Sequence, residues 1–209
     1  MALALPRLYA ILDASQARER TLSSVCEIFL GAGVRLIQYR HKAGSSRQLF
    51  EDSVALGRLV HQAGGTFIVN DRADIARAAG AHGVHVGQED LPIEMARGII
   101  GLGKIVGYST HNLEQVIEAD RSSADYIALG PIFATASKER PDPVVGLEGL
   151  RRAREATRKP LVAIGGITLA RAREVIDAGA DSVAVIGDLL GAPDLSARAR
   201  AFLEILQES

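Results

Sequence analysis

The sequence predicts an α/β protein built as a single (β/α)8 TIM barrel that spans residues 1–209. Short apolar segments alternate with segments of helical periodicity eight times along the chain. The apolar segments are nearly continuous runs of Val, Ile and Leu, which is typical of parallel strands buried on both faces. No linker rich in Pro, Ser or Gly and no run of like charges divides the chain. These observations favour one domain.

Each predicted strand is an apolar run bounded by glycine or polar residues. In chain order the runs are residues 8–13, 36–41, 67–71, 83–87, 105–110, 126–130, 161–166 and 182–187. Predicted helices lie between them, in segments such as LFEDSVALGRLVHQAG, IARAAGA, LEQVIEA, LEGLRRAREA and LARAREVIDAGA. Several of these segments end in Gly or Ala-Gly, the usual signal for the C-terminus of a helix. A doubly wound open sheet is the alternative, and eight strands without an opening GxGxxG turn disfavour it.

Bulk composition restricts the classes of function. The formal net charge of −1 gives no electrostatic reason to expect binding to nucleic acid or to an anionic membrane. No apolar run has the length of a membrane span, and the N-terminal segment lacks a basic leader followed by a long apolar region. The single cysteine, Cys26, excludes an internal disulfide and lies in an amphipathic pattern typical of core packing. We therefore expect a soluble, cytoplasmic protein.

Cations are predicted to converge at one end of the barrel. Active sites of this fold lie at the C-terminal ends of the strands, so the residues after each apolar run indicate the chemistry. Gln38, Arg40 and Lys42 stand at alternate positions at the end of the second run, which predicts that all three lie on one face. Lys138 lies in the long loop after the sixth run. Because no equal set of carboxylates is evident, these cations need an anionic ligand, and diphosphate fits best. The alternative is solvated charge at strand ends.

Two acidic residues suggest a metal site. Asp71 and Asp90 follow the third and fourth runs, and two carboxylates together with substrate phosphate oxygens are the usual way in which proteins hold Mg2+. The alternatives are a salt bridge from Asp71 to Arg72 or Arg40, and an N-cap role for Asp90. Zinc is disfavoured, because there is one cysteine and the histidine spacings match no zinc site.

A second anion site is predicted opposite the first. Thr135 and Ser137 offer hydroxyls, and the glycine endings at Gly166 and Gly187 allow tight turns that expose backbone N–H groups to a phosphomonoester. Turns with no ligand are the alternative. Two phosphorylated substrates facing each other, one of which loses diphosphate, would use both anion sites.

Three further polar residues are predicted to have structural roles. His85 is flanked by valines, which indicates a hydrogen-bonded core histidine rather than a catalyst. Thr168 is predicted to be a helix N-cap, and His111 is predicted to belong to the cap of the helix that follows it.

Six segments resemble, in the same order and spacing, the motifs of the thiamine phosphate synthase family: QYRHK, VNDRADIA, GVHVGQEDLP, GYSTH, GPIFATASK and AIGGIT. The resemblance covers nearly the whole chain. It implies a transferase that joins 4-amino-2-methyl-5-(diphosphooxymethyl)pyrimidine to 4-methyl-5-(2-phosphoethyl)thiazole, or to its 2-carboxy form, with release of diphosphate. It also implies one Mg2+ per subunit and phosphorylated heterocycles as partners, and it leaves the oligomeric state open.

The resemblance further implies a role for each candidate residue. The pyrimidine diphosphate would be bound by Gln38, Arg40, Lys42, Asn70, Ser109 and Lys138, of which Lys138, Arg40 and Ser109 would be catalytic. Asp71 and Asp90 would bind the metal. The thiazole phosphate would be bound by Thr135, Ser137 and the backbone of Gly166, Ile186 and Gly187. The family usually has serine where this chain has Gly187, so a hydroxyl is lost while the amide is retained.

The implied mechanism is a dissociative substitution. Charge on the departing diphosphate is stabilised, so the CH2–O bond breaks before the thiazole nitrogen attacks. One alternative is a paralogue that isomerises thiazole phosphate and needs only the second anion site; another is a non-catalytic binder of phosphorylated ligands. Retention of the cations and both acids favours the synthase. An epimerase or aldolase would need an inward lysine or acid pair for proton transfer, and the sequence suggests none.

Overall fold

The computed structural model describes residues 3–17, 20–135 and 142–207, and within them the chain forms a closed barrel of parallel strands. Each strand pairs with the next one along the chain, and the last strand pairs with the first. The strands are β1 (Leu8–Asp13), β2 (Leu36–Arg40), β3 (Thr66–Asn70), β4 (Gly83–Val86), β5 (Ile105–Thr110), β6 (Tyr126–Leu129), β7 (Leu161–Ile164) and β8 (Ser182–Val185). The predicted (β/α)8 barrel is confirmed.

Helices surround the barrel, as the periodicity predicts. They are α1 (Leu22–Ala32), α2 (Ser46–Gln62), α3 (Ala73–Ala78), α4 (Ile93–Ile100), α5 (Leu113–Asp120), α6 (Gly146–Ala156), α7 (Leu169–Asp177), α8 (Gly187–Leu190) and α9 (Leu195–Ile205). Among the described residues, no helix is long and apolar enough to cross a membrane.

Six strands end one or two residues earlier than the sequence predicts. The polar or glycine residue that ends each predicted run leaves the strand and begins a turn. At the ends of β3 and β7 the cause is the backbone: Asp71 has φ 63°, and Gly165 and Gly166 have φ 98° and 63°. These left-handed conformations cannot continue a strand. The residues that the sequence places on strand ends therefore lie in the first turns of the mouth.

The core has two layers. One layer lies between the strands and the helices and includes Cys26, whose predicted packing role is confirmed. The other fills the barrel interior with the side chains of Tyr9, Ile11, Leu36, Ile68, Tyr126, Ala128, Val162 and Ala184. Gln38 and His85 are buried with this inner layer. Polar side chains inside a barrel need hydrogen-bond partners, and these two have them.

Ion pairs connect elements at the N-terminal end of the barrel. Arg97 on α4 pairs with Asp125, which also accepts the backbone N–H of Val106. Arg154 on α6 pairs with Asp181 at 2.7 Å, and Asp181 accepts the N–H of Leu161. Each aspartate thus ties the start of one strand to its neighbour and to a helix. In this fold such residues contribute stability, while the opposite end carries the chemistry.

Candidate active site

The second strand carries Gln38 and Arg40 to the mouth of the barrel. Gln38 lies in register with Ile11 on β1 and Ile68 on β3, and it is 2% exposed. Arg40, the last residue of β2, donates to Asp13, the last residue of β1 and its partner in register. The strand register therefore places an arginine beside a buried aspartate at the rim.

Lys42 lies in the turn after β2 and donates to Asp71. The two described cations of this cluster, Arg40 and Lys42, therefore both have carboxylate partners, and the expectation that they lack them is wrong. Asp13 is the residue that sequence reasoning missed, although an aspartate that ends an apolar run beside an arginine on the next strand was a usable signal. The ion pairs position both cations, and each keeps donors that are not used by its carboxylate. Lys138 lies outside the described residues.

Asp71 occupies an unusual environment. It has a positive φ of 63°, a conformation that aspartate tolerates better than most residues and that often occurs at functional sites. Burial raises the pKa of Asp71 to about 6; the neighbouring Asp90 also raises it, while Lys42 opposes both. Its ion-pair partner is Lys42 rather than Arg72 or Arg40, the two alternatives suggested by the sequence. Arg72 pairs with Asp74 at 2.6 Å.

Asp90 does not cap a helix. Its Oδ2 accepts the backbone N–H of Gly87 at 2.7 Å, so the carboxylate turns back towards the end of β4. Helix α4 begins at Ile93, and Pro92 at its N-cap position makes no side-chain cap. The capping alternative is therefore wrong, and the carboxylate stands beside Asp71 at the rim.

The two acids fit a hard divalent cation. Within residues 3–17, 20–135 and 142–207 no group of three or more His, Cys, Asp or Glu side chains is arranged to hold a metal. Mg2+ does not need such a group, since it takes one or two carboxylates and completes its shell with water and substrate phosphate. A cation between Asp71 and Asp90 would also relieve the repulsion that contributes to the raised pKa of Asp71.

His85 and Ser109 lie on the inner face at the ends of β4 and β5. His85 is in register with Asn70 on β3, and its Nε2 is 2.8 Å from the Ser109 Oγ. Burial lowers the pKa of His85 to about 4, so the imidazole is neutral at pH 7. The predicted core histidine is confirmed, with the addition that it contacts Ser109, a candidate substrate ligand.

The side chain of His111 does not cap α5. That role belongs to Asn112, whose Oδ1 accepts the N–H of Gln115 at 2.9 Å. The His111 backbone N–H donates to Gln115 Oε1, and its Nδ1 lies 2.7 Å from the Gly130 carbonyl oxygen. His111 therefore lies within the cap but connects the ends of β5 and β6.

The second candidate anion site lies where β6, β7 and β8 end. The carbonyl of Ala134 and the side chain of Phe133 lie directly over Gly166, so Thr135, the next residue, lies close to the β7 turn. Ser137 falls outside the described residues. Gly187 begins α8, and the space beside its Cα is open: a Cβ there would have the Gln16 side chain as its nearest neighbour, at 3.7 Å.

Asp188 connects the two glycine endings. Thr168 occupies the N-cap position of α7, as predicted, but its side chain makes no capping bond. Instead Asp188 Oδ2 accepts the N–H of Leu169 at 3.0 Å and an Arg198 N–H at 2.9 Å. No pattern in the sequence indicates this contact, which holds the β7 turn against α8 and so keeps Gly166 and Gly187 on the same side of the mouth.

All described candidate residues lie at the C-terminal end of the barrel. Asp13, Arg40, Lys42, Asp71 and Asp90 form the charged side beside β1 to β4, and Ser109 adjoins it through His85. The glycine turns of β7 and α8 form a second side, which we call the neutral side because Asp188 beside them is paired with Arg198. One surface of the mouth therefore combines two cations with acids that could hold a metal ion, and the other presents backbone amides.

Gly166 and Gly187 make a matched pair for a stability test. Alanine at Gly166 would keep a positive φ and would bring its Cβ to 2.4 Å from the Ala134 oxygen, so we expect a loss of about 2 kcal/mol or more in the free energy of unfolding. Alanine at Gly187 has space, so we expect a change within about 0.5 kcal/mol. Urea denaturation of both variants measures the difference, and equal losses would contradict the described turn.

Three kinds of comparison with known proteins indicate the same family. A family model described as thiamine monophosphate synthase matches residues 8–189. A thiamine-phosphate synthase of Koribacter versatilis is 54% identical over 208 residues, which covers 98% of this chain and 97% of that protein. A second one, from Chloroflexus aurantiacus, is 44% identical and covers 97% and 94%. The solved structure of a thiamine phosphate pyrophosphorylase from Pyrococcus furiosus has a TM-score of 0.87 and 36% identity, and covers 96% and 95% of the two chains.

Proposed function

The chain belongs to the thiamine monophosphate synthase family. From this premise we propose how residues at the mouth of its barrel catalyse the formation of thiamine phosphate. The chain is a transferase: it joins the diphosphooxymethyl pyrimidine to the phosphoethyl thiazole and releases diphosphate. The two sides of the mouth divide that reaction between them, one binding the leaving group and the other the nucleophile.

The pyrimidine diphosphate binds on the charged side of the mouth. Arg40 and Lys42 contact the diphosphate, and Asn70, Ser109 and Lys138 complete its ligands, while Gln38 contacts the pyrimidine ring. The observation that carries this proposal is the pairing of Arg40 with Asp13 and of Lys42 with Asp71 at one rim. A guanidinium that is already held in place loses less conformational entropy when it binds an anion.

Asp71 and Asp90 hold one Mg2+ per subunit, which when bound supplies positive charge to the diphosphate. Arg40, Lys42 and Lys138 supply the rest of the charge that the departing diphosphate needs, so the CH2–O bond breaks as negative charge builds on oxygen. Ser109 holds a diphosphate oxygen and fixes the direction in which the leaving group departs. Arg40, Ser109 and Lys138 are thus the proposed catalytic residues.

The thiazole phosphate binds on the neutral side. The backbone N–H groups of Gly166, Ile186 and Gly187 and the hydroxyls of Thr135 and Ser137 hold the phosphate, so that the ring nitrogen faces the pyrimidine carbon. Positioning of the nucleophile then supplies much of the acceleration. No general base is required, since the attacking nitrogen carries no proton to remove.

The alternatives fit the mouth less well. A thiazole phosphate isomerase has no need for Arg40, Lys42 and Asp71 together at one rim. A non-catalytic binder has no need for two acids held side by side. Phosphorylated heterocycles are thus the proposed partners, and we also propose a cytoplasmic location for the enzyme.

The test is an assay of diphosphate release from the purified chain. Both phosphorylated heterocycles are supplied together and singly, with Mg2+ and with excess chelator. We expect release only when both substrates and the metal are present. Release that does not need the thiazole, or conversion of the thiazole alone, would contradict the synthase proposal.

A further inference from the structure

A continuous chain of hydrogen bonds crosses the interior of the barrel. Gln38 Nε2 lies 2.8 Å from the Tyr9 hydroxyl, which lies 2.9 Å from the Tyr126 hydroxyl. The Tyr126 hydroxyl lies 2.9 Å from His85 Nδ1, and His85 Nε2 lies 2.8 Å from Ser109 Oγ. The five side chains come from five strands, and the two residues at the ends of the chain are both proposed ligands of the pyrimidine diphosphate.

The rings of Tyr9, Tyr126 and His85 pack closely against one another and against the backbone. The Tyr126 ring stacks on His85 with centroids 5.5 Å apart and meets the Tyr9 ring edge-on at 6.0 Å. It also lies against the backbone of Gly107, where a Cβ would come within 2.0 Å of the ring. Any side chain at position 107 would clash with this ring, so the glycine of the segment GYSTH allows Tyr126 to lie in the barrel interior. The three rings are buried, so none of their polar atoms can turn to water.

Burial allows the series of hydrogen bonds to run in only one donor-to-acceptor direction. Tyr9 accepts a hydrogen bond from Gln38 and has only one other partner among the described residues, so its own proton must go to Tyr126. Tyr126 must then donate to His85 Nδ1. Because Nδ1 accepts from Tyr126, the imidazole carries its proton on Nε2 and donates that hydrogen bond to Ser109.

The direction of these hydrogen bonds determines whether Gln38 and Ser109, at the two ends, can donate or accept a bond with a ligand. At one end Gln38 Nε2 is occupied, so its Oε1 is left to accept a hydrogen bond. At the other end Ser109 Oγ accepts from His85, so its proton is left to donate. An acceptor suits the exocyclic amino group of the pyrimidine, and a hydroxyl donor suits a diphosphate oxygen.

We propose that the chain Gln38–Tyr9–Tyr126–His85–Ser109 is a one-directional hydrogen-bond relay that orients both substrate ligands, with Tyr9, Tyr126 and His85 as positioning residues. The relay makes the enzyme specific for a pyrimidine that donates at position 4. It rests on the proposed function, which assigns Gln38 to the pyrimidine and Ser109 to the diphosphate. A reversed relay would present the Gln38 amide nitrogen instead and would favour a 4-oxo ring.

The first test determines the tautomer of His85 by nuclear magnetic resonance in the absence of substrate. In the full chain labelled with 15N-histidine, we expect Nε2 to resonate as a protonated nitrogen and Nδ1 as an unprotonated one at neutral pH. In Tyr126→Phe the donor to Nδ1 is removed, so we expect the two tautomers to become mixed. A protonated Nδ1 in the unaltered protein, or an unchanged tautomer in Tyr126→Phe, would overturn the proposal.

The second test measures the specificity of the enzyme for the substituent at position 4 of the pyrimidine. We compare kcat/KM for the 4-amino pyrimidine diphosphate with that for its 4-oxo analogue, and we expect the unaltered enzyme to prefer the amino form by about 100-fold or more. In Tyr9→Phe the Gln38 amide can turn over, so we expect this ratio to fall by about tenfold. The KM for the thiazole phosphate should not change, because that substrate does not contact Gln38.

Thr157→Val is the matched control. Thr157 is buried at the opposite end of the barrel, where its hydroxyl bonds to Asp120, so the variant also loses one buried hydroxyl. We expect its specificity ratio to equal that of the unaltered enzyme. An equal fall in Thr157→Val and Tyr9→Phe, or no fall in Tyr9→Phe, would overturn the relay. Absence of turnover with either pyrimidine would instead contradict the proposed function, while the tautomer measurement would still decide the relay.

Discussion

Replacing Asp71 by asparagine is expected to lower turnover by a factor of about 10² to 10³ while leaving the fold almost unchanged. Asparagine has the same shape as aspartate and tolerates the positive φ of 63° at this position. The substitution therefore removes the negative charge that faces Lys42 and Asp90 without disturbing the turn after β3. If Asp71 holds the metal, the apparent affinity for Mg2+ should fall together with turnover.

The measurement is diphosphate release as a function of Mg2+ concentration, with thermal unfolding of each variant alongside. Asp74→Asn is a suitable control because Asp74 is a nearby exposed carboxylate that pairs with Arg72. We expect Asp74→Asn to keep both turnover and metal dependence. Asp71→Gly, which relieves the backbone but also lacks the carboxylate, should behave like Asp71→Asn. An unchanged Mg2+ dependence in Asp71→Asn would exclude Asp71 as a metal ligand.

The sequence predicted the barrel well because the signal for a buried parallel strand is local. Each strand is a run of Val, Ile and Leu, and the rule that chemistry lies at strand ends selected Arg40, Lys42, Asp71 and Asp90 as candidates, which the structure places at one rim. The exact ends of the strands were harder to predict. They depend on where the backbone turns into the left-handed region, as at Asp71 and Gly166, and that choice belongs to the folded turn rather than to residue type.

Contacts between elements could not be predicted in the same way. Asp13 and Arg40 are partners because of the register of β1 and β2, and Asp188 reaches Leu169 because α8 packs beside the β7 turn. The first contact could be suspected only by comparing the ends of two predicted strands, and the second has no signature in the sequence. Tyr126 is part of an apolar run in the sequence, and a period-two pattern does not tell whether a buried tyrosine faces the helices or the barrel interior.

The second large effect is expected at Arg40, where stability and activity can be separated. Asp13 is 1% exposed and Arg40 is its ion-pair partner, so Arg40→Met leaves a buried carboxylate without a counter-charge. We expect a loss of about 3–5 kcal/mol in the free energy of unfolding. Turnover should also fall by about 10²-fold, because the variant removes the guanidinium that we propose binds the diphosphate.

The double variant Arg40→Met/Asp13→Asn distinguishes the two roles of the arginine. Asparagine at position 13 needs no counter-charge, and its Oδ1 can still accept the Ser15 N–H that Asp13 accepts at 2.9 Å, so most of the lost stability should return. Activity should remain low, since the charge that we propose binds diphosphate is still absent. Arg97→Met provides the matched control: it breaks the pair with Asp125 at the other end of the barrel and should cost stability while leaving the KM for the pyrimidine diphosphate unchanged. Urea unfolding and diphosphate release measure the two quantities on the same samples, and full activity in the double variant would reduce Arg40 to a structural partner of Asp13.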